Sequence, residues 1–150
     1  MTSHAGLWYD ACWEVPGIKR GDTFFAALAD LLQFPVYLCF ECTGMAPDVR
    51  ALLQSHAVEP TLQIRTGTLW PKPGVFHVQA SDDFIREMVR VASVHAEPEI
   101  CDHFHAYEGG VMLLQWYDAF VLPLLVNASI PEPSLRRFCD RLSVSFRRRT

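Results

Sequence analysis

The chain has 150 residues, of which 50% are hydrophobic and 20% are charged, and its formal net charge is −4. This composition excludes a disordered chain and is typical of a single globular α/β-type domain, which we assign to 1–150. The longest strongly apolar run, 119–126, is interrupted by Pro123 and is shorter than the ~20 residues of a membrane-spanning helix. The first residues lack the basic and apolar regions of a secretory signal. We therefore expect a soluble, cytoplasmic protein that does not contact a membrane.

Charge and cysteine content narrow the class further. Residues 1–133 carry 16 acidic and 7 basic side chains, whereas 134–150 carry six arginines and one aspartate. The body of the protein is thus acidic and the C-terminal segment basic. Five cysteines are an odd number in a chain without an export signal, and this indicates reduced thiols rather than a disulfide framework.

The first half of the chain predicts strands and helices from its hydrophobic periodicity and its turn residues. The predicted elements are a strand at 7–13, a helix capped by Asp22 that ends before Pro35, a strand at 36–40, a helix from Pro47, and strands at 61–66 and 75–78.

The second half predicts two further helices and a hairpin. The predicted elements are a helix capped by Ser81, a hairpin of 101–107 with 111–120 closed by Gly109-Gly110, a helix after a capping box at 129–132, and an edge strand at 142–146.

Together these elements indicate an α+β protein with a mixed, mainly antiparallel sheet. The order strand, helix, strand, strand, helix, strand over 36–107 is that of a ferredoxin-like βαββαβ core. The extra hairpin strand and the C-terminal helix would be additions to this core. The alternative is a mixed sheet with helices on both faces.

The strand at 101–107 contains the strongest candidate for chemistry. Side chains alternate between the faces of a strand, so Cys101, His103, His105 and Tyr107 are expected on one face. Two imidazoles two residues apart can converge on zinc or another divalent metal. The alternative is a polar packing or recognition surface without a metal or other cofactor.

A two-residue turn at Gly109-Gly110 fixes the expected hairpin register, in which facing residue numbers sum to 219. His103 then faces Trp116, His105 faces Leu114, and Cys101 faces Asp118. In this register Cys101 or Asp118 would be the third metal ligand, with an open position for water.

Cys39 and Cys42 form a CxxC motif close to a predicted strand–helix junction. Such a pair can be redox-active or half of a zinc site. Residues three apart in a strand point to opposite faces, so a redox pair requires Cys42 to lie beyond the end of the strand. No second CxxC is present, and two core cysteines are the alternative interpretation.

The chain contains no Gly-rich phosphate loop, GxSxG or HExxH motif, which favours a binding protein over an enzyme. Our leading hypothesis is an inhibitor or immunity-type protein, or an adaptor, whose acidic body contacts a basic protein partner. Tyrosine and tryptophan dominate binding hot spots. The candidate contacts are Trp70, Tyr107, Trp116 and Tyr117.

Two other functions stay open. One is a small metal-dependent enzyme that uses His103 and His105. The other is a nucleic-acid accessory protein that uses the arginine-rich segment. The alternative interpretations of this segment are a solvated helix face with a frayed basic end and a docking site for an acidic protein. The acidic body of the protein disfavours nucleic-acid binding, because its negative charge would repel a phosphate backbone. The sequence leaves the oligomeric state open.

Overall fold

The protein is built on one large sheet with helices packed against it. The computed structural model describes residues 2–3, 6–7 and 11–149, and of residues 2–3 only the backbone. The strands in this part of the chain are β1 (Thr2–Ser3), β2 (Cys12–Val15), β3 (Val36–Cys42), β4 (Leu62–Gln63), β5 (Gly74–Ala80), β6 (His103–Glu108), β7 (Val111–Trp116), β8 (Leu124–Asn127) and β9 (Arg147–Arg149). The α-helices described are α1 (Gly21–Leu31), α2 (Pro47–Ser55), α3 (Asp82–Ala92) and α4 (Glu132–Leu142).

The predicted α+β class is confirmed. Seven strands form a sheet in the order β5-β3-β6-β7-β8-β2-β9, and its paired neighbours are antiparallel. The sequence predicted a mixed sheet, but the parallel pairing lies outside the large sheet. It joins β1 and β4, which form a separate two-stranded sheet.

The helices cover one face of the large sheet, which we call the helix face. Their apolar stripes and the inward residues of the strands form one continuous core cluster. Phe24 of α1 lies at its centre, fully buried among other aromatic rings. Burying a side chain of this size contributes about 1.5–3 kcal/mol. Because the cluster on the helix face contains most of the buried apolar side chains, this face supplies most of the hydrophobic stabilisation.

The opposite face of the sheet, which we call the second face, has a smaller apolar cluster. It includes Leu7, Leu62, Tyr107, Met112 and Leu125. Leu7 and Leu62 come from segments outside the large sheet, so β4 and the residue at position 7 cover this face. Among the helices of the described residues, none combines the length and hydrophobicity that crossing a bilayer requires.

The ferredoxin-like core is not confirmed. Three of its four predicted strands do lie side by side as β5-β3-β6. The predicted strand 61–66, however, is reduced to β4 and leaves the large sheet. Ala57 instead bridges to Val78, and the Val58 N–H donates to the His77 carbonyl oxygen at 2.8 Å. The segment after α2 therefore occupies the edge of β5 before the chain reaches residue 61.

Several predicted boundaries are wrong for local reasons. The opening strand begins only at Cys12, and residues 8–10 of the predicted strand lie outside the described residues. Arg20, not Asp22, is the N-cap of α1, because the helix begins two residues earlier than predicted. Ser81 caps α3 as predicted, accepting a hydrogen bond from the Phe84 N–H.

The C-terminal third also differs from the prediction. The capping box at 129–132 does not form, since Pro131 is the N-cap of α4 and makes no side-chain cap. The edge strand lies at β9 rather than at 142–146, because the chain first turns through Ser143 in a left-handed conformation. Strand β8 was not predicted, and Pro123 directly before it had obscured the pattern.

Candidate functional site

The hairpin at the histidine strand is confirmed, with a correction to its register. Gly109 and Gly110 have φ values of +56° and +78°, which glycine adopts without strain. Near the turn Tyr107 pairs with Met112, as predicted. An irregularity between Ala106 and Tyr107 then shifts the register by one residue. His105 consequently faces Gln115 rather than Leu114.

The same shift changes the surroundings of the first histidine. Phe104, not His103, faces Trp116. The predicted common face is confirmed for His103, His105 and Tyr107, but it is wrong for Cys101. Cys101 precedes β6 and lies in the core cluster on the helix face, because the alternation begins only where the strand begins.

The two histidine rings are held by backbone hydrogen bonds. The Asp118 N–H donates to Nδ1 of His103 at 2.9 Å, and the Trp116 N–H donates to Nδ1 of His105 at 3.2 Å. Each neutral ring therefore carries its proton on Nε2. His103 uses this proton in a 3.0 Å hydrogen bond to Oγ1 of Thr68. Burial lowers the pKa of His105 to about 3, so this ring is neutral at physiological pH.

The predicted metal ligands do not share one centre. Asp118 Oδ1 lies 3.9 Å from Nδ1 of His103, and Cys101 lies on the helix face. Within residues 6–7 and 11–149, no group of three or more His, Cys, Asp or Glu side chains is arranged to hold a metal ion. A metal at His103 and His105 stays a prediction of the sequence that needs a direct test.

We expect the protein, purified without an affinity tag, to retain no stoichiometric zinc. The physical reason is that both Nδ1 atoms already accept backbone N–H groups, and Nε2 of His103 donates to Thr68. Elemental analysis by mass spectrometry checks this. Zinc at one equivalent, lost in His103→Ala but kept in His77→Ala, would contradict the expectation and restore the metal site.

The central residue of the site is Glu41, which sequence reasoning missed. Its side chain ends on the second face of β3 and is 2% exposed. It accepts hydrogen bonds from the Gly67 N–H at 3.0 Å and the Thr68 N–H at 2.8 Å, and Nε2 of His103 lies 3.7 Å away. Hydrogen bonds to a charged acceptor are about twice as strong as neutral ones. The signal that could have found it is an acidic residue inside an otherwise buried strand.

Glu41 holds a segment that we call the tryptophan loop, residues 65–73. A further hydrogen bond runs from the Tyr117 hydroxyl to the Arg65 carbonyl oxygen at 2.6 Å. Gly67 fits tightly between these groups, because a Cβ there would lie 2.7 Å from both Nε2 of His103 and Cδ1 of Tyr117. The base of the tryptophan loop is therefore fixed from the interior.

The tip of the tryptophan loop projects into solvent. Leu69 is 96% exposed and Trp70 is 86% exposed. Among the four predicted contact aromatics, Trp70 is thus the fully accessible one. Tyr107 and Trp116 are buried inside the protein and form no surface, while Tyr117 is half-buried below the loop. Sequence alone could not separate these four, because all of them have the same chemistry.

An acidic cavity of about 350 Å³ lies at the same end of the sheet. Its charged lining consists of Glu97, Asp102 and Asp118 together with Lys19. Apolar walls come from the turn after β7, including Val121, which is 72% exposed. Asp118 connects the cavity with the tryptophan loop, since its N–H bonds His103 and His103 bonds Thr68.

Cys39 and Cys42 do not form a redox pair. Strand β3 continues through Cys42, so the thiols point to opposite faces, Cys39 into the second face and Cys42 into the helix face. Burial, followed by the charge of Glu41, raises the pKa of the Cys39 thiol, and burial also raises the pKa of Cys42. Neither thiol is activated as a nucleophile. Sγ of Cys39 instead lies 3.6 Å from Nε2 of His77.

We expect thiol titration of the protein, denatured without reductant, to find all five cysteines free. All five thiols are buried in the structure, so oxidants reach them slowly. A count of three free thiols would show that two cysteines are oxidised to a disulfide and would contradict this expectation.

The arginine-rich segment is not a frayed basic end. Strand β9 pairs with β2, where Arg147 bonds Glu14 at 2.7 Å and the Arg148 guanidinium lies 4.9 Å from the Trp13 ring centroid. Arg141 similarly bonds Asp30. The segment is folded into the sheet, and part of its charge is matched by acidic side chains, which weakens the argument for nucleic-acid binding.

Comparison with protein-family models, with curated proteins and with solved structures gives no significant match to this chain. The function is therefore argued from the geometry of the site.

Proposed function

We propose that this protein is a small intracellular binding protein of the inhibitor, immunity or adaptor type. Its tip residues Leu69 and Trp70 would insert into a protein partner. The observation that carries the proposal is the exposure of both apolar side chains on a loop whose base is fixed by the buried Glu41.

The physical support is the free energy that Leu69 and Trp70 can gain only when a partner covers them. Two large apolar side chains in water gain nothing from folding, whereas a partner that covers them gains about 25 cal/mol per Å² of apolar surface. Tryptophan is among the residues most often found in hot spots. Because the backbone at Gly67 and Thr68 is already ordered, binding loses less conformational entropy than it would with a mobile loop.

The cavity beside the loop supports a basic partner. Three carboxylates and one lysine line it, so its formal charge is negative, as is that of the whole chain. A lysine or arginine of the partner could place its apolar stem against Val121 and its charge near Asp118. Charge complementarity of this kind speeds association and selects the partner.

The proposal predicts that Trp70→Ala weakens partner binding by at least about 2 kcal/mol, or roughly 30-fold in Kd. A photo-crosslinking amino acid replacing Leu69, introduced in the cells that naturally produce the protein, identifies the partner. Calorimetry with the purified pair then measures the Kd of each variant.

The matched control is Val94→Ala, which removes an exposed apolar side chain just beyond the end of α3. It should leave the Kd unchanged. A partner that binds Trp70→Ala as tightly as the unmodified protein, or loses affinity for Val94→Ala instead, overturns the proposed function.

A further inference from the structure

Two buried hydrogen-bond donors on the second face have no partner among the residues that the structure describes. Nε2 of His105 and Nε2 of Gln115 are both without a hydrogen-bond acceptor, and each residue is 1% exposed. Buried polar groups in folded proteins are nearly always satisfied, so an orphaned pair needs an explanation. Neither atom has a role in the tryptophan loop or in the acidic cavity.

The orientation of both groups is fixed by their other atoms. Nδ1 of His105 accepts the Trp116 N–H, so the ring proton is on Nε2. Oε1 of Gln115 accepts the Leu7 N–H at 2.7 Å, so the amide cannot be flipped without placing two donors against each other. Both orphaned atoms are therefore N–H donors. Neither the other tautomer of His105 nor a flipped amide of Gln115 would satisfy them without breaking an existing hydrogen bond.

The two side chains that carry these donors are neighbours in the sheet. His105 and Gln115 are directly paired across β6 and β7 and point to the same face. Side chains of such a pair have Cβ atoms about 4.5–5.5 Å apart, which lets both reach one atom between them. His105 is neutral, and the nearby carboxylate of Glu41 is engaged by the tryptophan loop. Two neutral donors suit an uncharged acceptor rather than an anion.

We infer that His105 and Gln115 together bind one neutral oxygen acceptor inside the protein. Two sources have this chemistry: an internal water molecule and the carbonyl group of a small organic compound. A water molecule accepts two hydrogen bonds and can direct a hydrogen towards the Tyr117 ring, whose centroid lies 4.7 Å from that of His105. A carbonyl oxygen accepts both donors and has no hydrogens to satisfy. The inference does not depend on the proposed partner.

The first experiment uses the unmodified protein and identifies the source. With ¹⁵N-labelled histidine, we expect an NMR signal from the Nε2 proton of His105 that exchanges slowly with solvent. Cross-relaxation between this proton and a bound water resonance assigns the oxygen to water. Release of a carbonyl compound at about one equivalent, detected by mass spectrometry after denaturation, assigns it to a ligand.

The second experiment removes one donor. Gln115→Met should lose about one long-lived water in ¹⁷O relaxation dispersion, or should no longer carry the compound. Gln79→Met, the same change at an exposed position of β5, should retain it. The inference is overturned if the unmodified protein shows neither water contact nor a released compound. In that case the Nε2 proton of His105 would point at the Tyr117 ring, and its chemical shift would show the ring-current effect of that ring. Because this result comes from the unmodified protein, it does not depend on whether the Gln115 variant folds.

Discussion

Replacing Glu41 by alanine is expected to lower the free energy of unfolding by about 3–5 kcal/mol. The change removes the hydrogen bonds that the Gly67 and Thr68 N–H groups donate to a charged acceptor, and each such bond contributes about 1.5–3 kcal/mol. It also removes packing from a side chain that is 2% exposed. Urea denaturation monitored by tryptophan fluorescence measures the difference in the free energy of unfolding between the variant and the unmodified protein.

The same variant connects stability with binding. If Glu41 fixes the tryptophan loop, Glu41→Ala should weaken partner binding as Trp70→Ala does, although Leu69 and Trp70 are unchanged. The control Glu59→Ala removes an exposed carboxylate and should change stability by less than about 0.5 kcal/mol. A stable Glu41→Ala protein with unaltered affinity would show that the loop does not need this carboxylate.

A second large effect is expected in the core. Phe24→Ala should destabilise the protein by about 3–5 kcal/mol, because it leaves a cavity among packed aromatic rings. The rings whose centroids lie 4.8–6.0 Å from that of Phe24 belong to Phe25, Phe104, Trp116, Phe120 and Phe138.

Phe34→Ala is the control for Phe24. This side chain is half-buried at the border of the same cluster, so its loss should cost clearly less. Equal losses for the two variants, measured by denaturation in the same buffer, would contradict the view that α1 anchors the helix layer through Phe24.

The features predicted correctly from sequence are those fixed by neighbouring residues. Gly109-Gly110 closes its hairpin because both positions require a positive φ. Ser81 caps α3 through a hydrogen bond to a residue three positions away. In both cases the determining contacts lie within a few residues of each other.

The features that sequence did not predict depend on residues far apart in the chain. The irregularity beside Tyr107 shifts the register of the histidine strand, and no turn signal marks it. Glu41 acquires its partners from 26 and 27 residues further on, so its sequence neighbours do not reveal them. The exposure of Trp70 similarly follows from where β4 leaves the sheet, which is a property of the whole fold.

The position of β2 in the large sheet also has a consequence for synthesis of the chain on the ribosome. Residues 12–15 are made early, but their neighbours in the sheet are β8 and β9. Strands that are far apart in the chain pair slowly, because the chain loses conformational entropy in bringing them together before their contacts form. About a hundred residues must be translated after Val15 before β8 can pair with β2, and β9 follows later still. The nascent chain therefore carries β2 as an unpaired strand through most of its elongation, and chaperones that shield exposed strands would act on it there.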